Sequence, residues 1–262
     1  MWRDVHRVPA LRSHAEANPL LPQPGHENLE VPNDTIFEVF INKYTAIIIR
    51  AENMVVQQVC TEVETQLKAH FYTCDLSYTQ CPSHTHTHSG SPDPNTSKDF
   101  LVSEVPLISQ TLLAPLSLLS TYLSYLLSTF SLTTFTALYR RISTNLSEHI
   151  LHRQILFRGT FNATEGRVIL AECELFLETC NAALAGGLPG GKVRVEAPWS
   201  KLLQAGRLVA LEGDLWDEVV NSTFDASDQE EWEEIMRTVT GHSDLSRETV
   251  GNILRRRNDC RT

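Results

Sequence analysis

Residues 105–139 read VPLISQTLLAPLSLLSTYLSYLLSTFSLTTFTALY and carry no charged side chain. A run of this kind is either a membrane span or the buried centre of a helical domain. Between Leu116 and Phe130 the large apolar residues recur every three or four positions, and serine and threonine occupy the other faces. Because a lipid-facing span is apolar on all sides, the pattern predicts a core helix, a turn near 131–133 and a second helix capped by Thr133 or Thr134. A helical membrane anchor over residues 112–132 is the alternative.

A long helix is predicted before this run, with Asn33 or Asp34 as its N-cap. It carries one apolar stripe at helical spacing, formed by Phe37, Ile41, Tyr44, Ile48, Ala51, Val55, Val59, Val63, Leu67 and Phe71. Since an isolated helix would expose that stripe, we expect it to lie against other helices. The Pro-rich residues 1–32 are expected to form a flexible lead-in to a helical region over 33–262. The chain is expected to be the C-terminal part of a longer protein.

Residues 73–98 lose the helical periodicity and alternate histidine with threonine. The potential metal ligands of this segment are Cys74, Cys81, His84, His86 and His88. Structural zinc sites usually hold their ligands in close pairs within a compact knuckle, and this spacing is looser. We therefore interpret 73–98 as a disordered insertion and expect no metal site.

The helix that follows the uncharged run is predicted to reach about Phe157, with Glu148, His149 and His152 close together in a structural role. The next helix should run from Phe161 or Asn162 to Leu184. A flexible loop is predicted over 185–198.

Within that loop, Gly186–Lys192 approaches the phosphate-binding loop pattern. Val193 stands where a serine or threonine would bind magnesium, and a helix precedes the loop instead of a strand. We expect no nucleotide site and no enzymatic activity.

Four short helices are predicted after Pro198. They begin near Trp199, Asp214, Asp228 and Ser246, and Gly241 ends the third. Glutamates at 230, 231, 233 and 234 form an acidic face on the third helix, and Arg255–Arg257 are expected in the last turn of the fourth.

The composition narrows the classes of function. A net charge of −10 and a pI near 5.5 argue against a general nucleic-acid binder, because phosphate contacts need a basic surface. Six cysteines spread among apolar residues favour unpaired thiols in a reducing compartment. The N-terminus has no apolar signal-peptide core, so no secretory signal is expected.

Several segments in this order resemble the Rint/Tip family of vesicle tethers, in its fungal branch. They are WSKLLQAGRL at 199–208, GDLWDEV at 213–219, WEEIMR at 232–237 and LSRETVGNILRRR at 245–257. Upstream, YTAI at 44–47, MVVQQVCTEVE at 54–64 and YRRI at 139–142 are similar to the same family. The resemblance covers roughly Asp34 to the end, except for the insertion.

The resemblance implies an all-α fold of elongated, stacked helical bundles of the exocyst-like (CATCHR) type. It implies a non-enzymatic subunit of an endoplasmic-reticulum tethering complex of the Dsl/NRZ type, acting in Golgi-to-ER retrograde transport. The implied partners are ER SNAREs and other tether subunits. The implied location is cytoplasmic, peripheral at the ER membrane through those partners, with no cofactor, no catalytic residue and no nucleic acid.

Overall fold

A computed structural model of the chain describes residues 36–79, 109–184, 187–188, 190–225, 228–241 and 243–260, with side chains at 37–73 of the first stretch. Within these residues the fold is all-α, as predicted, and the only sheet-type pairing is a parallel bridge between Phe161 and Arg257. The chain divides into two compact units, one up to Ile47 and one from Ile48 onward. The predicted lead-in over 1–32 and the predicted caps Asn33 and Asp34 lie outside the described residues.

The helices have the following bounds: α1 Ile36–Thr79, α2 Leu113–Thr129, α3 Leu132–Ile150, α4 Ala163–Leu184, α5 Gly191–Glu196, α6 Ser200–Ala210, α7 Asp214–Phe224, α8 Gln229–Thr240 and α9 Arg247–Leu254. Short 3-10 turns precede α2 and α6, at Gln110–Leu112 and Ala197–Trp199. A π-helical segment, Leu151–Leu156, extends α3, and its i−5 hydrogen bond from Phe157 N to His152 O measures 2.8 Å.

The helix α1 is longer than its sequence periodicity predicts. It continues to Thr79, several residues into the segment interpreted as an insertion from 73. The rest of that segment, 80–98, lies outside the described residues. In the second unit the predicted stripe is buried along Val59, Val63, Leu67 and Phe71.

The uncharged run forms a core helix and the start of the next one. On α2, Leu116, Leu119, Leu123 and Leu126 are buried, as the leucine spacing predicts. The predicted caps Thr133 and Thr134 are wrong by a few residues. Ser131 caps α3 instead, since its hydroxyl accepts a hydrogen bond from the Thr134 amide at 3.3 Å.

The segment predicted as a flexible loop over 185–198 is largely helical. Gly190 adopts a left-handed conformation (φ 97°), which glycine tolerates at low cost, and α5 begins at the next residue. The 3-10 turn at Ala197–Trp199 then leads directly into α6. Two ordered elements therefore replace most of the expected loop.

The caps of the last two helices agree with the sequence. Asp228 and Ser246 cap α8 and α9, and Gly241 ends α8 with φ at 75°. The basic residues 255–257 follow α9, which ends at Leu254, and do not belong to its last turn.

The centre of the second unit is the packing of α4 on α6, with α2 on another side of α4. At Gly166 of α4, an added Cβ would lie 1.9 Å from the carbonyl oxygen of Val209 on α6. Only glycine permits so close an approach of the two backbones.

A tryptophan just before α6 packs into the same core. Trp199 is fully buried, stacks on Phe176 with ring centroids 5.9 Å apart, and donates from Nε1 to the Tyr139 hydroxyl at 3.3 Å. Burial raises the pKa of Tyr139 well above its usual value, so the hydroxyl stays protonated and serves as a hydrogen-bonding group.

A buried polar network crosses the core between α1, α4 and the π-helical segment. His70 Nε2 lies 3.4 Å from Glu172 Oε2, and His70 Nδ1 lies 2.9 Å from Thr111 Oγ1. Gln154 donates from Nε2 to the same Glu172 oxygen. Because buried polar groups are costly unless paired, this network fixes the relative positions of the elements that carry it.

Candidate functional site

The histidine-rich segment does not provide a site that the structure describes. Cys81, His84, His86 and His88 lie outside the described residues, as does the side chain of Cys74. Among the residues that are described, no group of three or more His, Cys, Asp or Glu side chains is arranged to hold a metal ion.

The three neighbouring polar residues Glu148, His149 and His152, at and just after the end of α3, lie in separate environments. His149 faces Glu64 of α1, with His149 Nδ1 and Glu64 Oε1 3.9 Å apart, while His152 packs on the ring of Phe157 at 5.6 Å. Glu148 instead lines a cleft on another side of the helix. The three residues therefore form no common site in the structure, and their structural role stays a prediction.

The phosphate-loop resemblance at 186–192 does not correspond to a phosphate loop in the structure. Gly186 and Pro189 lie outside the described residues, and Lys192 is an exposed residue of α5. The element that leads into this segment is the helix α4, where a phosphate loop requires a strand.

The cysteines that the structure describes are unpaired. Cys60, Cys173 and Cys180 are buried and Cys260 is half-buried. Burial raises the pKa of Cys60 to about 11 and that of Cys180 to about 12, so both remain neutral thiols in the core. They act as small apolar side chains and not as nucleophiles.

An exposed apolar stripe marks the first unit. Phe37, Phe40, Tyr44 and Ile47 recur at three- and four-residue spacing on α1 and are exposed by 46%, 53%, 66% and 61%. The sequence predicts a continuous buried stripe here, and that expectation is wrong for the described residues at this end of α1. Large exposed apolar side chains on one side of a helix indicate a surface for another protein.

In the second unit, the first turns of α1 also expose large apolar side chains. Ile48, Ile49 and Met54 are at least half exposed, whereas Val56 and the residues of the stripe that follow it are buried. The change from exposed to buried occurs within two helical turns. The sequence gives no signal of this change, because the apolar spacing continues through it.

The uncharged run contains the one helical stretch of the described residues that has the length and composition of a membrane span. It covers Gln110–Thr129, with a mean hydropathy of 1.3, and one third of it is buried inside the protein. Its leucines pack into the same core as α3 and α4. A single stretch of this kind is also typical of a core helix, so the membrane-anchored alternative is not favoured.

The acidic face of α8 is mostly solvated. Glu230, Glu231 and Glu234 are exposed, and Glu233 accepts a hydrogen bond from Gln229 Nε2 at 2.8 Å. On the opposite side Trp232 is buried and donates from Nε1 to Thr223 Oγ1 at 3.2 Å. The helix is amphipathic, as its sequence predicts.

The comparisons with known proteins give one match. A family model described as the RINT-1/TIP-1 family matches residues 12–257. No curated protein and no solved structure matches the chain significantly. The model describes the family as a whole, so the assignment of this chain to the fungal branch stays a prediction. Because the matched residues span most of its length, the chain belongs to the RINT-1/TIP-1 family, a family of tethering-complex scaffold proteins in vesicle transport.

Proposed function

We propose that this chain is a non-enzymatic subunit of an endoplasmic-reticulum tethering complex that acts in Golgi-to-ER retrograde transport. It binds ER SNAREs and other tether subunits of the Dsl/NRZ type, and these partners hold it at the cytoplasmic face of the ER membrane. The observation that carries the proposal is the family match over residues 12–257. A tether works by simultaneous contacts with several proteins, which requires exposed binding surfaces and no catalytic chemistry.

The exposed stripe of the first unit supports this function. Phe37, Phe40, Tyr44 and Ile47 present aromatic and branched side chains along one side of a helix. Aromatic residues contribute much of the affinity at protein interfaces, because they bury a large area at a small cost in side-chain entropy. SNAREs and tether subunits are helical proteins, and an amphipathic helix of such a partner can lie along this stripe.

The test is affinity capture from solubilised ER membranes with the full chain as bait, followed by identification of SNAREs and tether subunits. We expect the wild-type chain to capture members of both classes. The variant Phe40→Glu/Tyr44→Glu places two charges in the stripe and should lower the capture of its partner. The matched control is Tyr125→Glu, since Tyr125 is an equally exposed aromatic residue on α2.

One result would count against the function, and another would count against the stripe as its contact surface. Capture of neither SNAREs nor tether subunits by the wild-type chain would remove the proposed function. Equal capture by the wild-type chain and the Phe40→Glu/Tyr44→Glu variant would keep the function and assign the contact to another surface.

A further inference from the structure

A cleft of about 520 Å³ lies within the second unit. One wall is α3, and the other consists of α5, the 3-10 turn and the start of α6. Its lining includes Thr136, Arg140, Thr144 and Glu148 on the first wall and Arg194 and Lys201 on the second. Most of its lining residues carry a hydroxyl or a charged group, while apolar atoms form the larger part of its surface.

The cleft is lined by more positive than negative side chains, whereas the chain as a whole is acidic. Arg140, Arg194 and Lys201 place three cations around it, against the single carboxylate of Glu148. None of the three cations forms an ion pair with another residue in the part of the chain that the structure describes. The chain as a whole carries a net charge of −10. A local cationic field in an acidic protein favours a small anionic ligand over an extended anionic surface.

The two walls of the cleft are fixed to each other. The Tyr139 hydroxyl donates to the Val195 carbonyl oxygen at 2.7 Å, and the Ser147 hydroxyl lies 2.9 Å from the Pro198 carbonyl oxygen. Each bond joins α3 to the opposite wall. The cleft is therefore formed before any ligand arrives, and binding requires little reordering of the backbone.

The length of the cleft suits an extended peptide. Thr136, Arg140, Thr144 and Glu148 follow one another at four-residue intervals, so they lie along one side of α3. At 1.5 Å per residue this row is about 18 Å long. An extended peptide rises about 3.3 Å per residue, so about five residues span the row.

We propose that this cleft binds an extended acidic segment of a partner protein, with Arg140, Arg194 and Lys201 pairing with its carboxylates. The hydroxyl groups of Thr144 and Ser200 are available to bind the peptide backbone, whereas the Thr136 hydroxyl already donates to the Leu132 carbonyl oxygen at 2.6 Å. A neighbouring hollow, which shares Ser200 with the cleft, is lined by the carboxylates of Glu196 and Asp244 and is not part of the proposed site. An anionic bilayer would meet the negative charge of the whole chain, whereas a short peptide enters only the cleft. The proposal is independent of the tethering function.

The test measures fluorescence anisotropy of labelled hexaglutamate with the full chain, beside hexaglutamine as a neutral peptide. We expect hexaglutamate to bind, hexaglutamine to bind at least tenfold more weakly, and the affinity for hexaglutamate to fall as salt is raised from 50 to about 300 mM. The variant Arg194→Glu/Lys201→Glu reverses two of the cations and should lower the affinity for hexaglutamate at least about tenfold.

The matched control is Lys68→Glu/Arg237→Glu. It changes the net charge by the same amount at two exposed positions outside the cleft. We expect its affinity for hexaglutamate to stay within about threefold of the wild-type value, because distant exposed charges are screened. Circular dichroism establishes that both variants fold. Arg140→Gln/Lys201→Gln, which adds no negative charge, serves in place of the reversal variant if that one is unfolded.

Three results would overturn the proposal. The first is that hexaglutamate does not bind the wild-type chain. The second is an equal loss of affinity in the cleft variant and in the control, since the effect would then come from net charge alone. The third is unchanged hexaglutamate binding with reduced binding to phosphatidylserine vesicles in the cleft variant, which would make the cleft a lipid headgroup site.

Discussion

The guanidinium carbon of Arg257 lies 3.8 Å from the centroid of the Trp216 ring. Arg257 is nearly fully buried and donates from Nη1 to the carbonyl oxygen of Val209 at 3.2 Å and to that of Leu211. Its Nε also donates to Asp259 Oδ1 at 2.9 Å. One side chain after the last helix thus joins the end of α6, the loop that follows it and α7.

The two tryptophans of the C-terminal helices are expected to be required for stability. Trp216 and Trp232 are exposed by only 6% and 1%. Trp216→Ala and Trp232→Ala should each lower the free energy of unfolding by about 3–5 kcal/mol, as is typical for truncation of a large buried aromatic residue. Urea unfolding measures the effect, and Tyr125→Ala is the exposed control. An unchanged unfolding midpoint would show that these tryptophans are binding residues exposed in solution.

The planar shape of the Arg257 guanidinium group, in addition to its charge, should contribute to the stability of the fold. Arg257→Lys keeps the positive charge, but a lysine ammonium cannot serve the two carbonyl groups, Asp259 and the indole ring at once. We expect a loss of about 2 kcal/mol in the free energy of unfolding, the order of one or two hydrogen bonds made by a charged group. Arg255→Lys is the control, because Arg255 is exposed. Equal stability of the two variants would contradict the role assigned to the guanidinium.

The close approach of α4 and α6 depends on Gly166. In Gly166→Ala the new methyl group would meet the Val209 carbonyl oxygen at 1.9 Å, so the two backbones must separate. We expect a destabilisation of about 3 kcal/mol, at the upper end of overpacking effects. Thermal unfolding measures it. Gly159→Ala is the matched control, since an added Cβ at Gly159 has no neighbour within 4 Å. A melting temperature for Gly166→Ala equal to that of the control would exclude this packing.

His149 should make the stability depend on pH. Burial lowers its pKa, and the Glu64 carboxylate opposes that shift. The folded chain therefore binds fewer protons at this residue than the unfolded chain, whose histidine pKa is about 6.5. Stability falls as the pH drops through about 6.5 and levels off below the folded pKa.

The variant His149→Gln should lose this contribution. Its urea midpoint is expected to change less than that of the wild-type chain between pH 7.5 and 5.5. Tyr125→Gln, at an exposed position on α2 where no group titrates between pH 5.5 and 7.5, should keep the wild-type dependence. Identical pH profiles for all three chains would mean that His149 titrates normally in the fold.

Alkaline carbonate extraction distinguishes the core helix α2 from a membrane anchor. We expect the chain to move to the supernatant, because Leu119 and Leu123 are fully buried in the protein core. A peripheral protein held by partners is released by this treatment. A chain that stays in the membrane pellet would instead support an anchor over 112–132 and contradict the tether proposal.

Much of the helical architecture can be read directly from the sequence. The leucine spacing of α2, the caps Asp228 and Ser246 and the helix-ending Gly241 are local signals, and the structure agrees with them. The helical structure within 185–198 has no comparable local signal. Its glycines and proline indicate a break, and only contacts such as that of Tyr139 with Val195 order the segment into α5 and a turn.

The exposed stripe of α1 and the cleft cannot be predicted from the sequence in the same way. The apolar spacing of α1 is the same through Phe37, Tyr44, Val59 and Val63, yet the first two residues are exposed and the last two are buried. Spacing specifies which residues share a side of a helix, and it contains no information on what lies against that side. The cleft joins Arg140 to Arg194 and Lys201, which lie more than fifty positions further along the chain.

Local sequence features are sufficient to predict that this chain is helical and that it belongs to a tether family. Helical periodicity, helix caps and the family segments each involve residues that are close together in the chain. Only the tertiary structure shows that the leucine face of α2 packs mainly on α4. It also placed Arg257 over Trp216 and three cations around one cleft. These relationships depend on packing between residues that are far apart in the chain, and local sequence patterns do not specify which of those residues come into contact.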